Sequence, residues 1–161
     1  VFKGNARRYG VIYPMQTFSK EVAVDFPSLS IFVEGSSREA LQQISQMASL
    51  LTTHVYEADS QQRKALHVAA VMACNFVNHC YAMAQCWLEQ QGLPFEAMLP
   101  LIDETARKVH YLKPTMAQTG PAVRGDSHII DEHLQLLSMA PDLQAVYRLL
   151  SERIAARRVD K

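Results

Sequence analysis

The stretch at residues 61–87, QQRKALHVAAVMACNFVNHCYAMAQCW, constrains the chain more than any other. Its length and composition predict one long helix, apolar on nearly every side, and a helix of that kind is expected to be buried. Polar residues inside such a helix need partners, so His67, Asn75, Asn78 and His79 are the first places to look for chemistry. On a wheel advancing about 100° per residue, His67, Val71, Cys74, Asn75 and Asn78 share one broad face while His79 points away. That face carries one imidazole and two carboxamides, which can donate to and accept from a polar ligand without adding net charge. The competing expectation is that these groups simply bond neighbouring backbone in a crowded core.

The three cysteines, Cys74, Cys80 and Cys86, all lie in this stretch. A spacing of six sends successive thiols to different sides of a helix, which speaks against a metal site or a disulfide framework and for small buried hydrophobes in a reducing compartment. Four polar residues in its middle make the stretch costly as a membrane span. The start, Val1-Phe2-Lys3-Gly4, lacks the pattern of a secretory signal, so a cytoplasmic protein is expected. Lys and Arg number 16 and Asp and Glu number 16. That balance leaves no overall field to steer the chain onto nucleic acid or an anionic membrane.

Upstream of the long helix the pattern is different. Residues 9–13, YGVIY, form a β-rich run ended by Pro14, and 14–19 read as a loop with polar groups on Gln16, Thr17 and Ser19. Residues 29–34, LSIFVE, are a near-continuous apolar strand of the kind found in sheets covered on both faces. Gly35 closes it. Ser36 and Glu39 fit a capping box for a helix that places Leu41, Ile44, Ala48 and Leu51 on one face. Residues 53–58, THVYEA, give a third strand, so 29–58 spell a βαβ unit. Ligands of α/β sheets bind beyond the carboxyl ends of strands, and the loop from Pro14 follows such an end.

After Asp59 the strand signals stop. Asp59 and Gln62 cap the long helix, and Gly92 and Pro94 punctuate its end. A further helix over 94–112 contains Pro100, which predicts a kink or a late start to its regular turns. Residues 113–126, KPTMAQTGPAVRGD, form a loop in which glycines allow close backbone approach and Arg124 offers a fork of donors for an anion. Helices over 127–139 and 141–158 follow, the last with an apolar stripe at Leu143, Val146, Tyr147, Leu150 and Ile154. His128 and His133 are poorly spaced for metal, and Arg153, Arg157 and Arg158 suit a solvated helix end. No metal site is expected.

Taken together, GVIYPMQTFS, LSIFVEGSS, ADSQQRKALHVAAVMACNFVNH, LIDETARKV and TGPAVRGD resemble a bacterial family of NAD(P)-dependent oxidoreductases. Its members join an N-terminal Rossmann-like domain to a C-terminal helical domain, similar in plan to the helical domains of 6-phosphogluconate dehydrogenase and pyrroline-5-carboxylate reductase. The resemblance implies an α+β fragment, with residues 1–58 the end of a Rossmann-like sheet and 59–161 an all-helical domain built on the long helix. The glycine-rich βαβ unit of the family would lie upstream of this region, so the chain alone should bind NADP or NAD poorly. Related 3-hydroxyacid dehydrogenases use a lysine on the long helix with an asparagine one turn on. Here His67 faces the cleft, with Lys64 about 60° away on the wheel.

The resemblance therefore implies His67 as proton donor or orienter, with Asn75 and Asn78 holding a small-molecule substrate. Imidazole titrates near neutrality, which suits such work. One wall of the cleft would be the segment from Tyr13 to Ser19, with Pro14, Met15, Gln16, Thr17 and Ser19 its site residues. Thr119, Gly120 and Arg124 would arrive from the partner of a homodimer formed through the helical domain. The rival expectation is a helical interaction module without a reaction.

Overall fold

The computed structural model describes residue 6 and residues 8–157. The first four residues and Arg158, used above, lie outside the described residues. Three strands form one mixed sheet in the order β1 (Gly10–Pro14), β2 (Ile31–Gly35), β3 (Val55–Glu57). Helix α1 (Arg38–Ser49) connects β2 to the parallel β3, which is the expected βαβ unit. A mostly helical region follows, as expected: α2 (Ser60–Ala70), a π turn (Val71–Asn75), α3 (Phe76–Gln90), α4 (Leu99–Lys108), the single turns α5 (Pro114–Ala117) and α6 (Pro121–Arg124), then α7 (Ser127–Leu136) and α8 (Pro141–Ala156). The element types change at Asp59, whereas the chain divides into two compact units between Cys80 and Tyr81, inside α3.

In the first unit the core is small and well defined. Alternation along β2 sends Ile31 and Val33 to the face covered by α1, where they are 0% and 1% exposed beside Ala48, with Leu41, Ile44 and Val55 packed around them. Leu51 falls past the end of α1 and is exposed, so it leaves the expected stripe. A Cβ on Gly35 would run into the backbone of Leu41, and this close approach sets α1 tight against the sheet. The other face of β2, with Phe32 and Glu34, is only half-buried, so the strand is not covered on both sides. Phe32 stacks there on Tyr56 across the ladder.

The cap of α1 differs from expectation by one residue. Ser37, not Ser36, accepts from Ala40 N at 3.2 Å. Ser36 instead prolongs the β1–β2 pairing: its N–H donates to the Tyr9 carbonyl at 2.8 Å, and its hydroxyl accepts from Tyr9 N at 3.0 Å. The Ser37 hydroxyl also donates to Glu39, a bond that holds the Glu39 carboxyl below its ordinary value. Asp59 and Gln62 form the expected reciprocal box at the start of α2, each bond 2.8 Å.

Strand β1 pairs antiparallel with β2, Tyr13 opposite Phe32 and Pro14 opposite Ile31. The carboxyl end of β1 therefore lies at the amino ends of β2 and β3, and the carboxyl-end rule of the βαβ unit does not transfer to the loop after Pro14. Pro14, with no N–H to offer, ends a strand that has a neighbour on one side only among the described residues.

The long helix forms without a break from Ser60 to Gln90, yet none of its residues is buried. Val68 (63% exposed), Met72 (58%) and Phe76 (53%) are open, and so are all three free cysteines. This corrects the expectation of a buried rod and of buried thiols. Composition reports that the helix has apolar surface to cover; it does not report that this chain covers it.

In the second unit Pro100 produces the late start: a 3₁₀ turn, Phe95–Met98, precedes α4, which takes the proline within its first turn. The 113–126 segment contains α5 and α6 rather than plain loop, separated by Gly120 at φ 111° and closed by Gly125 at φ 74°. The buried residues of this unit, among those described, are Ala122, Leu134 and Leu137. Along α8, Leu143, Val146, Tyr147 and Ile154 are half-buried as the stripe predicts, while Leu150 is exposed. Gln144 donates to the Leu134 carbonyl at 2.7 Å, and Tyr147 meets His133 Nδ1 at 2.8 Å, which ties α7 to α8.

Candidate functional site

Strand alternation puts Val11 and Tyr13 on the face of the sheet that also carries Phe32 and Glu34. Three side chains of α2 reach that face, His67, Arg63 and Ser60. The Tyr13 hydroxyl lies 3.4 Å from His67 Nδ1, a long contact of the kind that tightens when a site is filled. One turn earlier, Arg63 makes a 2.6 Å ion pair with Glu34. The same guanidinium donates to the Ala58 carbonyl at 2.7 Å and to Ser60 Oγ at 3.0 Å, and Ser60 Oγ donates to Glu34 at 3.2 Å. These bonds fix the first turn of α2 against the end of β2. If the Tyr13 hydroxyl donates to Nδ1, the ring proton sits on Nε2, which has no protein partner among the described residues.

The other candidates on the helix are placed less simply. The π turn over 71–75 takes one residue more between bonded groups than an α turn, so everything after it is turned back by up to about 100°. The uniform wheel that set Asn75 and Asn78 on the His67 face does not carry across this turn. Both are exposed, and neither carboxamide has a side-chain hydrogen-bond partner among the described residues. π turns recur at functional sites because they re-aim side chains, and this one begins four residues after His67 and contains Asn75.

In the loop after β1, Met15 N donates to the Ser30 carbonyl at 2.9 Å and continues the ladder. Pro14 and Met15 are half-buried; Gln16, Thr17 and Ser19 are exposed. Gln16 Oε1 accepts from Thr17 N at 2.9 Å, so part of the loop's polarity is spent on its own turn. Thr119, Gly120 and Arg124 belong to the second unit, where Arg124 is 3.8 Å from Asp126. That unit also has a cavity of about 230 Å³ lined by Met83, Cys86, Trp87, Gln90, Pro141 and Leu143, which includes none of the expected site residues. Asp126 stands at the start of α7 without a side-chain cap bond.

Sequence reasoning placed Tyr13 at the cleft wall without pairing it to His67, and missed Arg63 with Glu34 as the anchor beneath that pair. Period-2 alternation could have placed Tyr13 and Val11 on one face. Nothing local joins Glu34 to Arg63.

A family model for a domain of unknown function, DUF2520, matches residues 29–154. The chain belongs to this family. Its fold is also that of a Bacteroides fragilis protein described as a "putative NADP oxidoreductase", 53% identical, with a TM-score of 0.91 over 96% of this chain and 60% of that one. A Thermotoga maritima protein shares the fold at 20% identity, with a TM-score of 0.77 over 94% of this chain and 62% of that one. The chain spans about 60% of the length of these two relatives. No curated protein matches it.

For a family whose solved relative carries that description, the fit of a dinucleotide must be tested on this chain's residues. A pyrophosphate is held by free backbone donors at a strand-to-helix turn. In the β2–α1 turn Ser36 N is spent on Tyr9 and Ala40 N on Ser37, and Gly35, the turn's one glycine, is packed against Leu41. This turn is not the open, glycine-rich cradle that holds the phosphates of a dinucleotide. Among the described residues, no three His, Cys, Asp or Glu gather as a metal site would, and no helix is long and apolar enough to cross a membrane.

Proposed function

We propose that the chain is the substrate-binding and dimerising part of an NADP-dependent oxidoreductase, cytoplasmic, acting on a small carbonyl, imine or hydroxy compound. The Tyr13–His67 pair carries the reading, because it places an exposed imidazole beside a strand-end loop. Likeness to the Bacteroides fragilis protein supports the nucleotide class, with NAD the second choice. In this reading residues 1–58 end a Rossmann-like domain, and 59–161 form a helical domain similar in plan to those of 6-phosphogluconate dehydrogenase and pyrroline-5-carboxylate reductase. The dinucleotide phosphates are held outside this chain.

What these residues supply is the proton. A carbonyl oxygen or imine nitrogen becomes more basic as it is reduced, and the imidazolium form of His67, with Nδ1–H turned to the Tyr13 oxygen, passes its Nε2 proton to it and is left neutral; oxidation of the alcohol or amine runs the same transfer backwards, the neutral ring accepting the proton on Nε2. The Tyr13 hydroxyl stands at Nδ1, 3.4 Å away, and leaves Nε2 for the substrate. Asn75 and Asn78 bind the substrate's polar groups, and Pro14, Met15, Gln16, Thr17 and Ser19 line one side. Thr119, Gly120 and Arg124 come from the second copy. The direct test is a titration of the intact protein with NADPH.

The open apolar residues of the long helix, Val68, Met72 and Phe76, support dimerisation, since a second copy would cover them. Light scattering of the intact protein at micromolar concentration is expected to give twice the protomer mass. A monomer there would instead favour a helical interaction module that covers the same surface with a different protein.

A further inference from the structure

We propose that Arg63 is a positioning residue that fixes where His67 meets Tyr13. The proposal rests on the Tyr13–His67 reading and explains what holds that pair.

The sheet and α2 are bridged at two points. On the sheet, Glu34 stands opposite Val11, and Tyr13, two residues on from Val11, is its diagonal neighbour on the same face, about 7–8 Å away. Along α2, Arg63 and His67 are four residues apart, a step of about 6 Å, also on one face. Glu34 to Arg63 closes one end and Tyr13 to His67 the other. The first bridge is the stronger. It is a short ion pair, the Arg63 side chain is only 14% exposed, and its guanidinium also donates to the Ala58 carbonyl and to Ser60 Oγ. The second is long, and its imidazole is exposed. A weak contact at the end of a four-residue lever takes its geometry from the rigid contact at the other end. Two acceptors and an ion-pair partner suit a planar fork; an ammonium carries the charge but cannot reach all three in that arrangement.

The test uses the ring nitrogen resonances of His67 in the intact protein, measured by ¹⁵N NMR, which report the tautomer directly. Tyr13→Phe supplies the reference for an unheld ring. Arg63→Met and Arg63→Lys are expected to shift both resonances to the Tyr13→Phe positions while the circular dichroism spectrum stays that of the parent. Glu34→Gln gives the same shift and serves if an Arg63 variant fails to fold. Resonances unmoved in the Arg63 and Glu34 variants, but moved in Tyr13→Phe, would overturn the positioning role and leave the pair standing. Resonances unmoved in Tyr13→Phe would overturn the pair, and this proposal with it.

Discussion

His67→Gln in the intact protein is expected to lower turnover of a reducible carbonyl or imine by about 10²-fold or more, the usual contribution of a positioned acid or base. Glutamine can still meet the Tyr13 hydroxyl and is close in size, so the loop after β1 keeps its place. It cannot donate and recover a proton near neutrality, and the loss therefore falls on kcat rather than on KM. The site is exposed, so stability should move by no more than about 0.5 kcal/mol. That combination separates a chemical role from a structural one. Steady-state kinetics beside a thermal melt reads both quantities, and an unchanged kcat would remove His67 from the mechanism.

The largest effect on stability is expected at Ile31. Its side chain is fully enclosed between β2 and α1, beside Val33 and Ala48. Ile31→Ala removes buried carbons and leaves a cavity that a neighbourhood pinned by the Gly35–Leu41 approach cannot close. A cost of about 3 kcal/mol follows. The damage should reach the site, because Ile31 is opposite Pro14 in the ladder and a loosened β2 frees Tyr13 from its register. Denaturant unfolding of the parent and the variant, compared at equal slope, measures it. A loss below about 1 kcal/mol would mean that the small sheet is not the stable centre of the first unit.

The parts of this fold that were legible share a property: each is written in a short window. The βαβ unit follows from an apolar run, a cap, a period-3.6 stripe and a second β-rich run. Even there, the choice of Ser37 over Ser36 as the cap turned on pairing with Tyr9, twenty-seven residues away from Ser36. The capping box of Asp59 and the late start forced by Pro100 were equally local.

What was not legible depends on contacts the window cannot contain. The π turn hides in VMACN, five residues as acceptable in an α-helix as in any other, yet it breaks the wheel that grouped Asn75 and Asn78 with His67. The exposure of Val68, Met72 and Phe76 could not be foreseen from a helix whose composition asks for burial. The candidate site was half visible: His67 stood out as a polar residue in an apolar helix, while Tyr13, fifty-four residues before it, gave no sign of the contact. Resemblance supplied the nucleotide class, which spacing and period did not.

The central claim, that this chain is the proton-handling and substrate-binding part of an NADP oxidoreductase, is tested most directly by titrating the intact protein with NADPH and following nicotinamide fluorescence. Saturable binding that persists in His67→Gln is predicted, because the phosphates are held away from this site and His67 serves the proton step. An intact protein that shows no saturable binding of NADPH or NADH would contradict it.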